Sequence, residues 1–140
     1  MPTLEHAIAL AAQAHTGQVD KAGQPYILHP LRIMLACHDL DEKIVAVLHD
    51  VVEDTAISLQ DLRTAGFAEH LIAAIDALTK QQGESRLDAA QRAKQNPIAR
   101  KVKQADVTDN MVLSRIAQPT AKDHARLTEY QQVLAILQND

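Results

Sequence analysis

Aromatic residues and sulfur are scarce in this chain of 140 residues. With two Tyr, one Phe and no Trp, the core must be built from Ala, Leu, Ile and Val, which suits packed helices. The single cysteine, Cys37, excludes an internal disulfide framework, which suits a protein of the reducing cytoplasm. We expect Cys37 to be a small core residue. No apolar run is long enough to span a membrane, and the N-terminal residues lack the basic and apolar regions of a signal peptide.

An excess of basic residues is also lacking. The formal net charge is −4, which argues against a general nucleic-acid binder. Nine acids and two bases lie between residues 39 and 76, whereas six bases and one acid lie between residues 86 and 103. This asymmetry indicates either two solvated helix faces or an acidic cation site beside a basic anion site. The second arrangement would suit a metal-bridged phosphate.

Apolar spacing of the helical kind runs along the chain, and no segment shows sustained alternation. We therefore predict an all-α helical bundle that forms one domain over residues 1–140. Ser58 and Asp61 resemble a capping box that opens a short helix, and Gly66 ends it. The other predicted helices are Thr3–Ala14, Leu31–His38 opened by Pro30, Glu42–Val52, Glu69–Leu78, Arg86–Gln95, a helix from Pro97 to about Ile116, and Ala121–Leu137.

Ionisable residues are crowded at the end of the most apolar predicted helix, where residues 48–55 read LHDVVEDT. Helical spacing would bring His49 near Glu53 and Asp50 near Asp54. Unpaired carboxylates are costly to bury, and the only base of this helix is Lys43, about two turns earlier. A divalent cation is the simplest way to neutralise the cluster.

Further ligands for such a cation would come from elsewhere in the chain. His29 lies in PYILHP at a loop-to-helix junction, and Asp106 lies in VKQADVTDN on a predicted helix. With His49 and Asp50 they supply two imidazoles and two carboxylates, a set that suits Mn²⁺ and also Fe²⁺ or Zn²⁺. Asp109 could be a surface acid or a hydrogen-bond partner of a ligand, and we favour the surface acid. The remaining histidines are expected to be ordinary surface or core residues: His6, His15, His38, His70 and His124.

Several motifs resemble those of the HD-domain metal-dependent phosphohydrolases. Closer still is the likeness to small alarmone hydrolases, the stand-alone form of the hydrolase domain in RelA/SpoT-type enzymes. The matching pieces run in order from about Ala14 to Tyr130: AHTGQ, AGQPYILHP, LHDVVEDT, ALTK, KQADVTDN and RLTEY. The HDVVED hexapeptide is the most specific of them, because many other HD enzymes lack its adjacent acidic pair.

The resemblance implies an HD-domain bundle and a role for each matching residue. His29, His49, Asp50 and Asp106 would bind Mn²⁺, and Glu53 and Asp54 would position and deprotonate the attacking water. The implied reaction is hydrolysis of the 3′-pyrophosphate of a nucleotide alarmone to the nucleoside 5′-diphosphate and pyrophosphate. The implied substrate contacts are Lys21, Asn110, Arg126 and Tyr130.

Some alternatives stay open at the level of sequence. Asp20 stands where guanosine-specific relatives usually carry a base-stacking Arg, so ppGpp-like and ppApp-like substrates are both compatible, and Arg86 stands where relatives often have Tyr. The domain could instead release orthophosphate from another nucleotide, or bind an alarmone as an inactive sensor. Arg126 and Tyr130 could be a helix-surface pair. A homo-oligomer is possible.

Overall fold

Helices account for all the regular structure in the computed structural model, which describes residues 2–139, apart from the side chain of Leu113. The helices are α1 (Leu4–Ala14), α2 (Leu28–Ala36), α3 (Leu40–Leu48), α4 (Val51–Asp54), α5 (Leu59–Thr64), α6 (Glu69–Leu78), α7 (Arg86–Lys94), α8 (Pro97–Asn110) and α9 (Ala121–Gln138). A short 3₁₀ helix spans Leu113–Arg115. Between residues 2 and 139 the only β pairing is an isolated bridge from Val19 to Pro25. The all-α prediction is confirmed.

Side-chain caps explain where several helices begin. Ser58 accepts a hydrogen bond from the backbone of Asp61, whose own side chain returns the bond, so the predicted capping box is present. Asn96 caps α8, and Pro97 occupies its first turn, where the missing N–H costs nothing. Gly66 has φ +98 just beyond α5, a conformation that favours glycine.

Three predicted boundaries are wrong. The helix predicted over Glu42–Val52 is interrupted between Leu48 and Val51, and α4 follows as a separate turn. The helix predicted to run to Ile116 ends at Asn110. Helix α2 begins at Leu28 rather than Leu31, so Pro30 lies inside the first turn, where a proline is still tolerated.

Helix α3 lies at the centre of the bundle. It packs against α1, α2, α6 and α8, and every residue from Ile44 to Leu48 is buried. Cys37 is buried in the same core, as expected. A smaller apolar cluster joins α7, α8 and α9 through Ala90, Val107, Val133 and Leu137. In residues 2–139, none of the helices has the length and apolar character needed to cross a membrane.

Candidate metal centre and active site

The four predicted metal ligands meet in one place, although they come from separate parts of the chain. His29 lies on α2, His49 and Asp50 lie between α3 and α4, and Asp106 lies on α8. His29 Nε2 is 2.9 Å from Asp106 Oδ1 and 3.8 Å from Asp50 Oδ2. His49 Nε2 is 3.0 Å from Asp50 Oδ2 and 3.4 Å from Asp106 Oδ1. Two imidazole nitrogens therefore face two carboxylates.

Both imidazole rings are oriented by a hydrogen bond on the opposite nitrogen. His49 Nδ1 is 2.6 Å from the carbonyl oxygen of Ala46, which can only accept, so Nδ1 carries the proton. His29 Nδ1 is 2.7 Å from Asp109 Oδ2, which fixes that ring in the same way. The Nε2 atoms of both rings then point toward the carboxylates, as in histidine ligands held by an outer acceptor.

This arrangement needs a positive charge at its centre. Among the described residues, buried His49 Nε2 makes no well-directed hydrogen bond despite its closeness to Asp50. Two neutral imidazoles would aim lone pairs at carboxylate oxygens, so either protons or a cation must lie between them. The donor set of two nitrogens and two oxygens fits a divalent transition metal. His29, His49 and Asp50 also offer three ligand atoms that lie within 4.8 Å of one another.

The carboxylates control the protonation of the two rings when no metal is bound. Burial alone would lower the pKa of His49, but the Asp50 and Asp106 carboxylates outweigh burial and hold that pKa well above its usual range. Burial is likewise outweighed at His29, whose pKa is raised by Asp106 and Asp109. For Asp106, burial is overcome by Lys103, with Nζ at 2.9 Å, and by both imidazoles, so its pKa falls well below normal.

A pH dependence of stability follows for the metal-free protein. Because the folded-state pKa values of His29 and His49 are raised, their contribution is present below the ordinary value of 6.5 and is lost as pH rises through the folded-state values. We expect the melting temperature of chelator-treated protein to fall as pH rises from 6.5 through the raised folded-state pKa values of these two histidines. Saturating Mn²⁺ should flatten this slope, because the metal replaces the protons. An equally steep fall of the melting temperature with pH in the presence and absence of Mn²⁺ would contradict this.

Tyr26 borders the site, although no role was predicted for it from the sequence. Its hydroxyl donates a hydrogen bond to Asp50 Oδ2, and burial followed by the charge of Asp50 raises the pKa of the phenol far above normal. Tyr26 therefore stays a neutral donor that orients the Asp50 carboxylate. Its position three residues before His29 in PYILHP was the only available signal.

The favoured prediction that Asp109 is a surface acid is wrong. Its side chain is 10% exposed, and it accepts from His29 Nδ1 and from Arg32 Nε and Nη2 at 2.7 to 2.9 Å. Arg115 Nη1 donates to Asp109 Oδ1 at 2.9 Å. Burial opposes ionisation, but His29 and Arg32 hold the pKa of Asp109 far below its usual range. Asp109 thus orients the His29 ring as a permanent carboxylate.

Replacing Asp109 with alanine should weaken metal binding without removing a ligand. We expect a loss of roughly 10- to 100-fold in Mn²⁺ affinity by calorimetric titration, the usual cost of losing an outer partner of a histidine ligand. Asp88→Ala, at an exposed acid on α7, is the matched control and should bind Mn²⁺ normally. Equal affinities in the two variants would contradict an orienting role for Asp109.

Glu53 and Asp54 lie on α4, beside the predicted metal ligands. Carboxylate oxygens of Asp50, Glu53 and Asp54 lie within 4.8 Å of one another. Glu53 Oε1 accepts from the backbone N–H of Lys80 at 2.8 Å, which fixes its position. Burial, then the charges of Asp50 and Glu53, raise the pKa of Asp54 to about 6. Asp54 is therefore suited to take up a proton near neutral pH.

Two cavities open onto this centre. The metal cavity, of about 220 Å³, is bordered by the four predicted ligands except His49, by the acidic pair and by the basic residues Lys80, Arg86 and Lys103. The loop cavity, of about 320 Å³, lies between the segment joining α1 to α2 and helices α8 and α9. Asn110 and Tyr130 border both cavities, whereas Lys21 and Arg126 border the loop cavity. All four predicted substrate contacts thus lie on the walls.

Ion pairs already engage some of these wall residues. Lys21 Nζ is 2.6 Å from Asp123 Oδ1 at the start of α9. Arg86 pairs with Glu129, and its guanidinium lies 5.1 Å from the centre of the Tyr130 ring. A substrate phosphate that binds Lys21 or Arg86 would have to compete with these carboxylates.

Asp20, which borders the loop cavity, forms hydrogen bonds with the backbone of its own turn. One carboxylate oxygen, Oδ1, accepts from the backbone N–H groups of Ala22 and Gln24 at 2.9 and 3.0 Å. The side chain therefore stabilises the turn that presents Lys21.

Comparison with known proteins agrees with this fold. The family model described as HD domain matches residues 7–135. This chain belongs to the HD-domain family. A solved structure, described as a metazoan ortholog of SpoT that hydrolyzes ppGpp, is similar to this HD domain with a TM-score of 0.81 and 20% identity. The likeness covers 99% of this chain and 88% of that one, and at this identity it shows the shared fold.

Relatives in sequence are much longer proteins. The guanosine-3′,5′-bis(diphosphate) 3′-pyrophosphohydrolase of Borreliella burgdorferi is 40% identical over 78 residues, which are 53% of this chain and 12% of that protein. The bifunctional (p)ppGpp synthase/hydrolase SpoT of Escherichia coli K12 is 43% identical over 63 residues, which are 42% of this chain and 9% of that protein. This HD domain thus matches a small part of each relative.

Proposed function

We propose that this HD domain hydrolyses the 3′-pyrophosphate of a nucleotide alarmone, with Mn²⁺, to a nucleoside 5′-diphosphate and pyrophosphate. The observation that carries the proposal is the metal cavity, where the His-and-Asp centre and the acidic pair face Lys80, Arg86 and Lys103. A cation site beside clustered bases suits a substrate with several adjacent phosphates. The relatives in sequence include ppGpp 3′-pyrophosphohydrolases, which supports the same chemistry.

His29, His49, Asp50 and Asp106 are the residues proposed to hold the ion. When bound, a divalent cation there would polarise a phosphoryl oxygen and make a water easier to deprotonate. Mixed nitrogen and oxygen donors favour Mn²⁺, with Fe²⁺ or Zn²⁺ as the alternatives. Calorimetric titration of chelator-treated protein with each ion would rank the three.

The acidic pair, Glu53 and Asp54, has two different roles toward the attacking water. Asp54, with a pKa raised to about 6 by burial and by its acidic neighbours, accepts the proton of the attacking water. Glu53 uses one oxygen to hold the Lys80 backbone and has the other available to orient that water. A pure binding module would need neither a carboxylate with a raised pKa nor its partner, which favours an enzyme over a sensor.

The substrate would span both cavities. Lys80, Arg86 and Lys103 would bind the pyrophosphate in the metal cavity, while Lys21, Asn110, Arg126 and Tyr130 would contact the nucleoside and its 5′-phosphates. With Asp20 Oδ1 occupied by the loop backbone, only Oδ2 is available to a base amine. Guanine and adenine both offer such an amine in their usual forms, so both nucleotides belong in the assay.

The decisive experiment incubates the protein and Mn²⁺ with ppGpp and, separately, with ppApp. We expect release of pyrophosphate from at least one nucleotide, detected as intact pyrophosphate by ³¹P NMR. Chelator-treated protein should be inactive and should recover on addition of Mn²⁺. Orthophosphate as the first product would favour the general nucleotide phosphohydrolase, and tight binding without turnover would favour the sensor. Either result would overturn the proposed reaction.

A further inference from the structure

A buried histidine lies next to the acidic pair but is not one of the proposed ligands. His15, at the end of α1, is 2% exposed, and its ring centre is 5.0 Å from that of Tyr26. Five histidines were expected to be ordinary residues, and His15 is the buried one among them. The other four are exposed: His6, His38, His70 and His124. Burying an imidazole costs free energy unless its polar atoms are used, so the contacts of His15 carry information.

Hydrogen bonds determine which nitrogen of His15 carries the proton. Gln18 Nε2 donates to the backbone carbonyl of Asp54 at 3.1 Å, and a carbonyl can only accept. The amide oxygen of Gln18 therefore faces His15 Nδ1, 2.8 Å away, and must accept from it. Nδ1 is protonated, and Nε2 is left buried and without a hydrogen-bond partner among residues 2–139.

The chain is folded tightly to make this contact possible. Gly17, between the two residues, has φ +87, a conformation that side chains disfavour. The turn lets Gln18 N–H donate to the His15 carbonyl at 3.0 Å and brings the Gln18 side-chain oxygen to His15 Nδ1. Tyr26 N–H in turn donates to the Gln18 carbonyl at 2.9 Å. This bond joins the two ends of the segment from Gln18 to Tyr26, which carries Lys21.

We propose that His15 and Gln18 are positioning residues that hold Asp54 at the working distance from the metal centre. This inference rests on the proposed function, because it assigns them a part in the same reaction. The path runs from His15 Nδ1 through the Gln18 amide to the Asp54 carbonyl. A second path runs from Gln18 through Tyr26 to Asp50. One small unit thus fixes both the proton acceptor and a metal ligand.

The proposal predicts which kinetic constant should change. Asp54 acts on the attacking water and contacts no substrate group in the proposed mechanism, so its displacement should lower kcat and leave KM nearly constant. We expect His15→Leu and Gln18→Leu each to lower kcat roughly 10- to 100-fold, as misplacement of a reacting group by about 1 Å can do. Lys21→Ala, at a proposed substrate contact, should instead raise KM.

A conservative variant separates the hydrogen bond from simple packing. Asparagine carries an amide nitrogen at about the position of His Nδ1, so His15→Asn keeps the donor and loses the rest of the ring. We expect His15→Asn to recover most of the kcat lost in His15→Leu, although it fills the core less well. If the two variants are equally impaired, or if both retain normal kcat, the positioning role is wrong.

Hydrogen exchange gives a test that does not depend on turnover. The N–H groups of Asp54, in α4, and of Thr55, directly after it, donate to the carbonyls of Asp50 and Val51 at 2.9 and 3.1 Å. In the Mn²⁺-loaded protein, Gln18→Leu should speed exchange of these two amides at least roughly threefold and leave the buried amides of α3 unchanged. Gln18 is only half-buried, so this variant should fold.

The two proposals can fail separately. If the unmodified protein releases no pyrophosphate from either alarmone, the proposed function fails, and the exchange of α4 amides still decides whether Gln18 holds this segment. If the unmodified protein is active but Gln18→Leu changes neither α4 exchange nor kcat, the function stands and the positioning role is overturned.

Discussion

Asp54→Asn is expected to lower kcat for alarmone hydrolysis by roughly 100- to 10,000-fold, the range associated with loss of a general base. Asparagine has nearly the same shape but cannot accept the proton of the attacking water at neutral pH. Mn²⁺ affinity should change little, because Asp54 is not among the proposed ligands. The measurement is steady-state pyrophosphate release together with Mn²⁺ titration of the same preparation.

The same substitution should stabilise the metal-free protein above pH 6. Burial, Asp50 and Glu53 raise the pKa of Asp54 to about 6 from an ordinary value of 3.8. The folded state therefore binds this proton more tightly than the unfolded state, and ionised Asp54 reduces stability as pH rises through that interval. Chelator-treated Asp54→Asn should melt at a higher temperature than the unmodified protein at pH 8, with the difference shrinking below pH 5.

Glu53→Gln is the matched comparison for Asp54→Asn. Glutamine retains an oxygen that can accept from the Lys80 N–H, so the local structure should persist. Its kcat should fall less than that of Asp54→Asn, because Glu53 orients the water rather than taking its proton. If Asp54→Asn retains kcat within about threefold, its role as general base is wrong. If Glu53→Gln is the more damaged variant, the two roles must be exchanged.

Asp106→Asn is expected to have the second large effect, the loss of metal-dependent stability. A ligand at 100 times its dissociation constant stabilises a folded protein by about 2.7 kcal/mol. For a domain of this size such a gain corresponds to a rise of several degrees in melting temperature. We expect that Mn²⁺-induced rise in the unmodified protein and nearly none in Asp106→Asn, measured by thermal melting.

The comparison must use the Mn²⁺-induced change rather than the absolute melting temperature. Asp106 also pairs with Lys103, so its replacement alters the metal-free protein as well. Asp88→Asn, which changes an exposed acid on α7, should keep the full rise. A normal rise in Asp106→Asn would place the ion elsewhere and would remove the basis of the proposed reaction.

Local features of the fold could be predicted from the sequence because they depend on neighbouring residues. The capping box of Ser58 and Asp61 and the extent of α6 at Glu69–Leu78 agree with the prediction. Both are encoded within one or two turns of helix, by cap chemistry and by apolar spacing. The crowding of acids in HDVVED, which a local stretch of sequence also encodes, indicates a candidate cation site.

The tertiary structure decided which residues form hydrogen bonds to the proposed metal ligands. Asp109 bonds to His29 from 80 positions away, and Tyr26 bonds to Asp50 from 24 positions away. Neither separation has a sequence period, so Asp109 was predicted to be a surface acid and Tyr26 was given no role. His15 and Gln18 gained their proposed role in the same way, through a contact with Asp54 that only chain folding creates. The sequence by itself indicated the helical class and a candidate cation site, whereas packing determined how each proposed ligand is held, because orientation depends on partners distant in the chain.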